Sequence, residues 1–204
     1  MLLGWHLIFT TYGFWPPNDP RGSGSTRVRT WHLYDAAGES TKVNTRRSVA
    51  ARPHDMCIRR AAKAALKYPA VELTGVQARA VARGIAAVCP KVELIIHACS
   101  IMPDHTHVVA AAHRQLDGDE MMACLKRAGT RGMNDEGLHP MAAFRRENGR
   151  LPTPWAGRGW KVKLYTAPEM RGRIQYVEMN PVRARFKRQR WSFVVPYLGN
   201  YCCK

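Results

Sequence analysis

Residues 92–112 read VELIIHACSIMPDHTHVVAAA. Two runs rich in aliphatic and β-branched residues flank Pro103-Asp104, a dipeptide suited to a turn. The stretch therefore predicts a β-hairpin with arms over Val92–Met102 and His105–Ala112. His105 and His107 open the second arm. Strand side chains alternate with period two, so both imidazoles project from one face and can meet one metal ion.

Outward from the hairpin, Thr74–Val88 predicts a helix capped by Thr74, with Val76, Ala80, Val81, Ile85 and Val88 as its apolar stripe. Asp117–Arg131 predicts a second helix, with Asp117 as cap, and Pro168–Asn180 a third, with Pro168 in its first turn. Trp5–Tyr12 and Gly159–Leu164 read as strands, Trp31–Tyr34 as a short strand and Trp191–Val195 as the last one. Gly13–Ser25 and Met133–Pro154 read as loops, the latter with fragments of helix. The order strand–helix–strand–strand–helix–strand predicts an α+β fold: a ferredoxin-like (RRM-like) antiparallel sheet with helices on one face. It is expected to form one domain over residues 1–204, with a basic, partly helical insertion at about 25–70 interrupted by Pro53.

The chain has 204 residues and a formal net charge of +17, which points to a polyanionic partner. No run of about 20 apolar residues is present, so a membrane-spanning partner role is not expected. Met1–His6 lacks a basic n-region and a cleavage site, and reads as the approach to the first strand rather than as a signal peptide. Cys57, Cys89, Cys99, Cys124, Cys202 and Cys203 show no Cys-x-x-Cys spacing. They read as reduced thiols of a cytoplasmic protein, not as a zinc site.

The third helix carries the second half of a site. Met170, Ile174 and Val177 form its apolar stripe, and Tyr176 lies ~100° round from Val177. Asn180, four residues on, shares the face of Tyr176, and Arg173 and Arg183 lie near the same edge. One helix edge thus offers a nucleophile, an oxygen ligand and two phosphate-binding cations. Pro181 disfavours helical geometry at Asn180, which reads either as a ligand or as a helix-ending residue. In a basic chain, a His-x-His strand and such a tyrosine suggest an enzyme that cuts nucleic acid through a covalent tyrosine link. Two imidazoles and an amide oxygen suit Mg²⁺ or Mn²⁺.

These residues resemble the single-tyrosine HUH transposases, in particular their REP-associated tyrosine transposase branch. The resemblance is carried by Met102-Pro103-Asp104-His105-Thr106-His107, by Trp155-Ala156-Gly157-Arg158-Gly159-Trp160-Lys161-Val162 and by Tyr176-Val177-Glu178-Met179-Asn180-Pro181-Val182-Arg183. Phe9–Gly13, Asp19–Ser23 and Trp191–Tyr197 add to it. It implies metal ligation by His105 and His107, with Asn180 in the place of a third, amide ligand. It further implies attack by Tyr176 on single-stranded, hairpin-associated DNA to give a 5′-phosphotyrosine, a bacterial, nucleoid-associated location, and leans towards a homodimer. Thr106 departs from the bulky hydrophobic residue usual between the two histidines.

Each signal has a plainer reading. His105 and His107 also fit as half-buried strand histidines, and Tyr176 as a packing residue; Tyr165 and Tyr12 are reserve nucleophiles. His97 and His113 read as structural, and Asp104 as a turn residue. Trp155 and Trp160 suit base stacking or a core equally well, with Arg158 and Lys161 beside them as phosphate contacts. Lys126, Arg127 and Arg131 fit phosphate contacts or a solvated helix face. Two rival functions remain: a non-catalytic nucleic-acid-binding module and a metal phosphodiesterase that uses water.

Overall fold

A computed structural model describes residues 1–45 and 49–199. Cys202 and Cys203 lie outside the described residues. Along the chain run β1 (Gly4–Thr11), α1 (Trp31–Ala37), α2 (Met56–Ala64), α3 (Gly75–Val88), β2 (Ile96–Ile101), β3 (His105–Ala111), α4 (Gly118–Asp135), β4 (Trp155–Leu164) and α5 (Ala167–Arg183). They form two compact units, one of Thr11–Val71 and one of Met1–Thr10 with the chain from Glu72 onward.

In the larger unit the four strands form an antiparallel sheet in the order β2-β3-β1-β4. With α3 between β1 and β2, and α4 between β3 and β4, this is the split βαβ arrangement of ferredoxin-like folds. Each helix start is specified locally: Thr74 with Gln77, Asp117 with Glu120 and Thr166 with Glu169 form three capping boxes. The hairpin turn closes where the Met102 N–H donates to the His105 carbonyl at 2.8 Å.

The two faces of the sheet separate the helices. Phe9 meets Trp155 edge to face at 5.3 Å, and Gly118 at the start of α4 abuts the Trp5 ring, so α3 and α4 cover the face of Trp5, Leu7 and Phe9. On that side α3 and α4 approach through Ala80, Gly84, Ala128 and Gly132. The helix α5 lies on the other face, where Met170 and Val177 form a buried cluster with Ala98, Val109 and Leu164. The expectation of helices on one face holds for α3 and α4; α5 crosses the opposite face.

Two expected strands do not form. Trp31–Tyr34 is the start of helix α1, which ends at Gly38 with φ 73°, the left-handed stop that glycine supplies. The Asn18 amide holds this helix by donating to the carbonyls of Leu33 and Gly38 at 2.6 and 3.2 Å. Trp191–Val195 makes a single bridge, between Val194 and Ile96. Side chains instead cover the outer edge of β2: Gln189 pairs with both the N–H and the carbonyl of Ile101, and Trp191 Nε1 donates to the Cys99 carbonyl. Two boundaries also differ. β2 starts only at Ile96, because a 3₁₀ turn over Cys89–Val92 and a left-handed Glu93 precede it. β4 begins at Trp155 rather than Gly159.

In the Thr11–Val71 unit, the loop predicted over Gly13–Ser25 is organised by a buried ion pair. Arg21 Nε and Nη2 donate to the Asp19 carboxylate at 2.8 and 2.7 Å, and the guanidinium lies 3.6 Å from the Trp15 ring centre.

The α3–α4 contact gives a direct test. A Cβ on Gly132 would collide with the Ala80 carbonyl, and one on Gly84 with the Ala128 carbonyl. At an exposed helical site Gly→Ala stabilises by about 1 kcal/mol. Here Gly132→Ala is expected to destabilise by about 1–3 kcal/mol in urea unfolding, as overpacking does; a gain in stability would disprove the close approach.

Candidate active site

The site grows from the register of β1 on β3. His107 sits opposite Ile8 on one side and Ser100 on the other, and His105 opposite Thr10. Their rings meet at right angles with centroids 4.8 Å apart. Asp104 does more than turn the chain: its Oδ1 lies 2.5 Å from His105 Nδ1, which leaves His105 Nε2 facing outward.

Helix α5 completes the cluster. With Val177 buried in the sheet-facing cluster, Tyr176 turns to the neighbouring edge, as the ~100° step requires. Its ring lies edge-on, 5.6 Å from His107 and 6.0 Å from His6 between centroids. The Arg183 guanidinium lies 5.5 Å from the Tyr176 ring centre. One turn on, Asn180 Nδ2 lies 3.2 Å from His105 Nε2 and 3.5 Å from Ser100 Oγ. Pro181 does not end the helix, which continues to Arg183, so Asn180 keeps helical direction and points at the histidines. His105, His107, Tyr176 and Asn180 therefore come together within one chain.

His6 belongs to this cluster and was not singled out in the sequence. Its Nε2 lies 3.0 Å from His107 Nδ1, with the two rings stacked at 5.1 Å. Its only local signal is a polar residue inside the apolar strand Trp5–Phe9; its partner is 101 residues away. Both rings are buried. Burial, reinforced by His105, His6 and Arg173, pushes the His107 pKa down to about 2; burial and then Arg173 push that of His6 down to about 4. Both are neutral at neutral pH, the form in which imidazole binds a metal.

Two imidazoles and an amide are the side chains that could hold a metal ion here. Asp104 and His6 occupy the Nδ1 atoms of His105 and His107, which directs the Nε2 atoms to a ligand. Among the described residues no three His, Cys, Asp or Glu side chains are placed to hold an ion by themselves. The amide of Asn180 would add a third donor, its oxygen, after a flip of its terminal group.

A groove of about 500 Å³ opens beside Tyr176, lined by Lys163, Arg173 and Arg183 together with Val162, Leu164 and Glu169. The Glu169 carboxylate is occupied by the backbone N–H groups of Tyr165 and Thr166. Two cations from α5, Arg173 and Arg183, therefore line the groove against one carboxylate already used as a cap, while the Lys163 ammonium lies by the Trp5 ring on the other face.

The remaining candidates lie elsewhere. Lys126, on α4, turns its ammonium onto the carbonyls of Ala156, Gly157 and Arg158, and burial lowers its pKa to about 8. Lys161 pairs with Asp119. Arg127 lines a second groove of about 530 Å³ along α3 and α4, with Arg83, Lys91 and Arg131. The expectation of Trp155 as a base-stacking residue is corrected: it is 2% exposed, and its Nε1 donates to the Lys126 carbonyl and Thr130 Oγ1. Trp160 is the exposed one of the pair, and Arg158 is exposed beside it. His97 and His113 bond the backbone carbonyls of Val195 and Val92, which fits their structural reading.

No family model matches the chain, and no curated protein matches it. Among solved structures it is similar to a REP-associated tyrosine transposase bound to a REP hairpin, at 13% identity and a TM-score of 0.47, over 91% of this chain and 70% of that one. It is also similar to a "putative transposase" of Deinococcus radiodurans R1, at 14% identity and a TM-score of 0.40, over 91% and 92% of the two chains. The chain is an α+β protein of ferredoxin-like topology with a histidine–tyrosine–asparagine cluster on one sheet face. No described helix is long and apolar enough to cross a membrane.

Thr106, between the two histidines, points to the other face and is fully buried with its hydroxyl unpartnered. An unsatisfied buried hydroxyl costs about 1–3 kcal/mol. Thr106→Val is therefore expected to raise stability by about 1 kcal/mol in urea unfolding. An unchanged or lower midpoint would show that the hydroxyl has a partner.

Proposed function

We propose that this chain is a metal-dependent single-stranded DNA endonuclease and strand transferase of the single-tyrosine HUH transposase type. The observation that carries this reading is the convergence, inside one chain, of Tyr176 on His107 at 5.6 Å and of Asn180 on His105 at 3.2 Å. Residues at three separate places in the sequence, including His6, come together beside a cationic groove.

Tyr176 supplies the nucleophile. Its phenolic oxygen, having given up its proton, forms a bond to phosphorus; the bond from phosphorus to the 3′ oxygen breaks, and that oxygen takes up a proton. The 5′ end stays on Tyr176 as a phosphodiester. Attack by a second 3′-hydroxyl reverses these changes, so rejoining needs no nucleotide cofactor. Arg183, over the Tyr176 ring, and Arg173 would hold the phosphates on either side. His105, His107 and the Asn180 amide oxygen would hold Mg²⁺ or Mn²⁺, which would neutralise charge on the scissile phosphate. His6 and Asp104 fix the direction of the two imidazoles. DNA with a hairpin beside the cleavage site is the proposed substrate class.

The direct test is a denaturing gel with labelled single-stranded and hairpin oligonucleotides in Mg²⁺ or Mn²⁺. A covalent protein–DNA adduct is expected, and Tyr176→Phe is expected to abolish it. Cleavage with no adduct would favour a water-using phosphodiesterase; binding with neither would favour a non-catalytic module.

A separate prediction concerns His6. His6→Leu is expected to weaken Mn²⁺ binding by roughly 10–100-fold in calorimetric titration, the usual effect of losing an orienting partner. Unaltered affinity would place His6 outside the metal site's support.

A further inference from the structure

Strand β4 is the outer strand next to β1, and its two sides are well separated. A Cβ on Gly159 would meet Met122, Lys161 pairs with Asp119, and the Lys163 ammonium lies 5.5 Å from the Trp5 ring centre. These residues face the α4 side. Leu164 faces the other way, into the cluster with Met170 and Val177. By alternation, Arg158, Trp160 and Val162 share the face of Leu164 and hence of the site. Helix α5 packs chiefly on β2 and β3. It leaves Trp160 44% and Val162 37% exposed.

Val162 also lines the Tyr176 groove. Trp160 lies one two-residue step further along β4, roughly 6.6 Å away. The surface that leaves the groove is therefore a flat exposed indole with a guanidinium two residues before it. An indole face asks for another π-system, and the neighbouring cations ask for phosphates; an unpaired nucleic-acid strand offers both together. A duplex keeps its base faces stacked within itself and offers only the phosphates.

We propose that Trp160, with Arg158, is a stacking platform for unpaired bases of the strand whose phosphate reaches Tyr176. This rests on the nuclease reading for its direction along the strand. The bound segment runs from the Tyr176 groove over Val162 onto Trp160, so the length of single strand flanking the cleavage site sets affinity.

The test uses the full chain carrying Tyr176→Phe, with fluorescent oligothymidylate and a blunt duplex of equal length, read by anisotropy across a salt series. Trp160→Ala is expected to weaken oligothymidylate binding about 5- to 150-fold, the range that loss of one base–aromatic stack gives. The salt slope and the duplex affinity are expected to stay unchanged, and Trp160→Phe to recover most of the loss. Trp160→Leu keeps apolar cover without a ring; affinity equal to that of the unsubstituted chain would overturn the proposal even if Trp160→Ala folds poorly. Equal losses on duplex and single strand would overturn it as well. So would self-association that Trp160→Ala abolishes without changing oligothymidylate affinity. No adduct from the unsubstituted chain sinks the nuclease reading, while the anisotropy series still decides the platform.

Discussion

The pairing of β1 with β3 is the constraint on which the site depends. Its register sets Ile8 against His107 and Thr10 against His105. A slip of one residue would exchange the two faces of β1. His6 would then lie on the apolar face that Trp5, Leu7 and Phe9 occupy, and Phe9 would take a place on the α5 side. The register is held by burial on both faces: Leu7 and Phe9 are fully buried on one side and His6 on the other. The same alternation that separates core from site in β1 separates Trp155 from Trp160 in β4. A single geometric rule thus decides which histidines meet and which tryptophan reaches solvent.

Much of this was legible in the sequence because the deciding signals are local. The hairpin turn, the capping residues Thr74 and Asp117 and the i, i+4 relation of Tyr176 and Asn180 each act within a few residues, and the structure keeps them. What was not legible depends on distant partners. His6 acquires meaning only from His107, and the face of each β4 residue only from the helices on either side. Trp31–Tyr34 carries aromatic residues that suit a strand, but the two alanines and glycine that follow, with Asn18 bonding from a distance, decide for a helix. Trp191–Val195 has strand composition, yet side-chain amide and indole groups satisfy the β2 edge before a ladder can form. Pro181 left Asn180 readable as a ligand or as a helix end; α5 instead runs on to Arg183 with Pro181 buried inside it, without the backbone bond that proline cannot donate.

The net charge of +17 overstates what faces a ligand. Lys126 is consumed by three carbonyls, Lys161 by Asp119, Arg83 by Glu136 and Arg21 by Asp19 and Trp15. The cations that line the Tyr176 groove are few and are placed mainly by α5. Meanwhile His6 and His107 add no charge, because their burial keeps them neutral. The site is therefore electrostatically simple: neutral nitrogen donors at the bottom, a phenol beside them and guanidinium groups along the rim.

The topology also has a kinetic meaning. β1 is made early in the chain, but its partner β3 follows about a hundred residues later, as the His6–His107 separation of 101 shows. β4 and α5 follow later still. Contacts so far apart in sequence require a large loop to close before any of them is rewarded, which slows folding. During synthesis the strand Gly4–Thr11 must wait with its apolar side chains and backbone groups unpaired, a state prone to aggregation. The clustered side chains consequently do not exist as a set in any shorter piece of the chain that stops before α5. The cluster is therefore complete only once α5 has docked on the finished sheet.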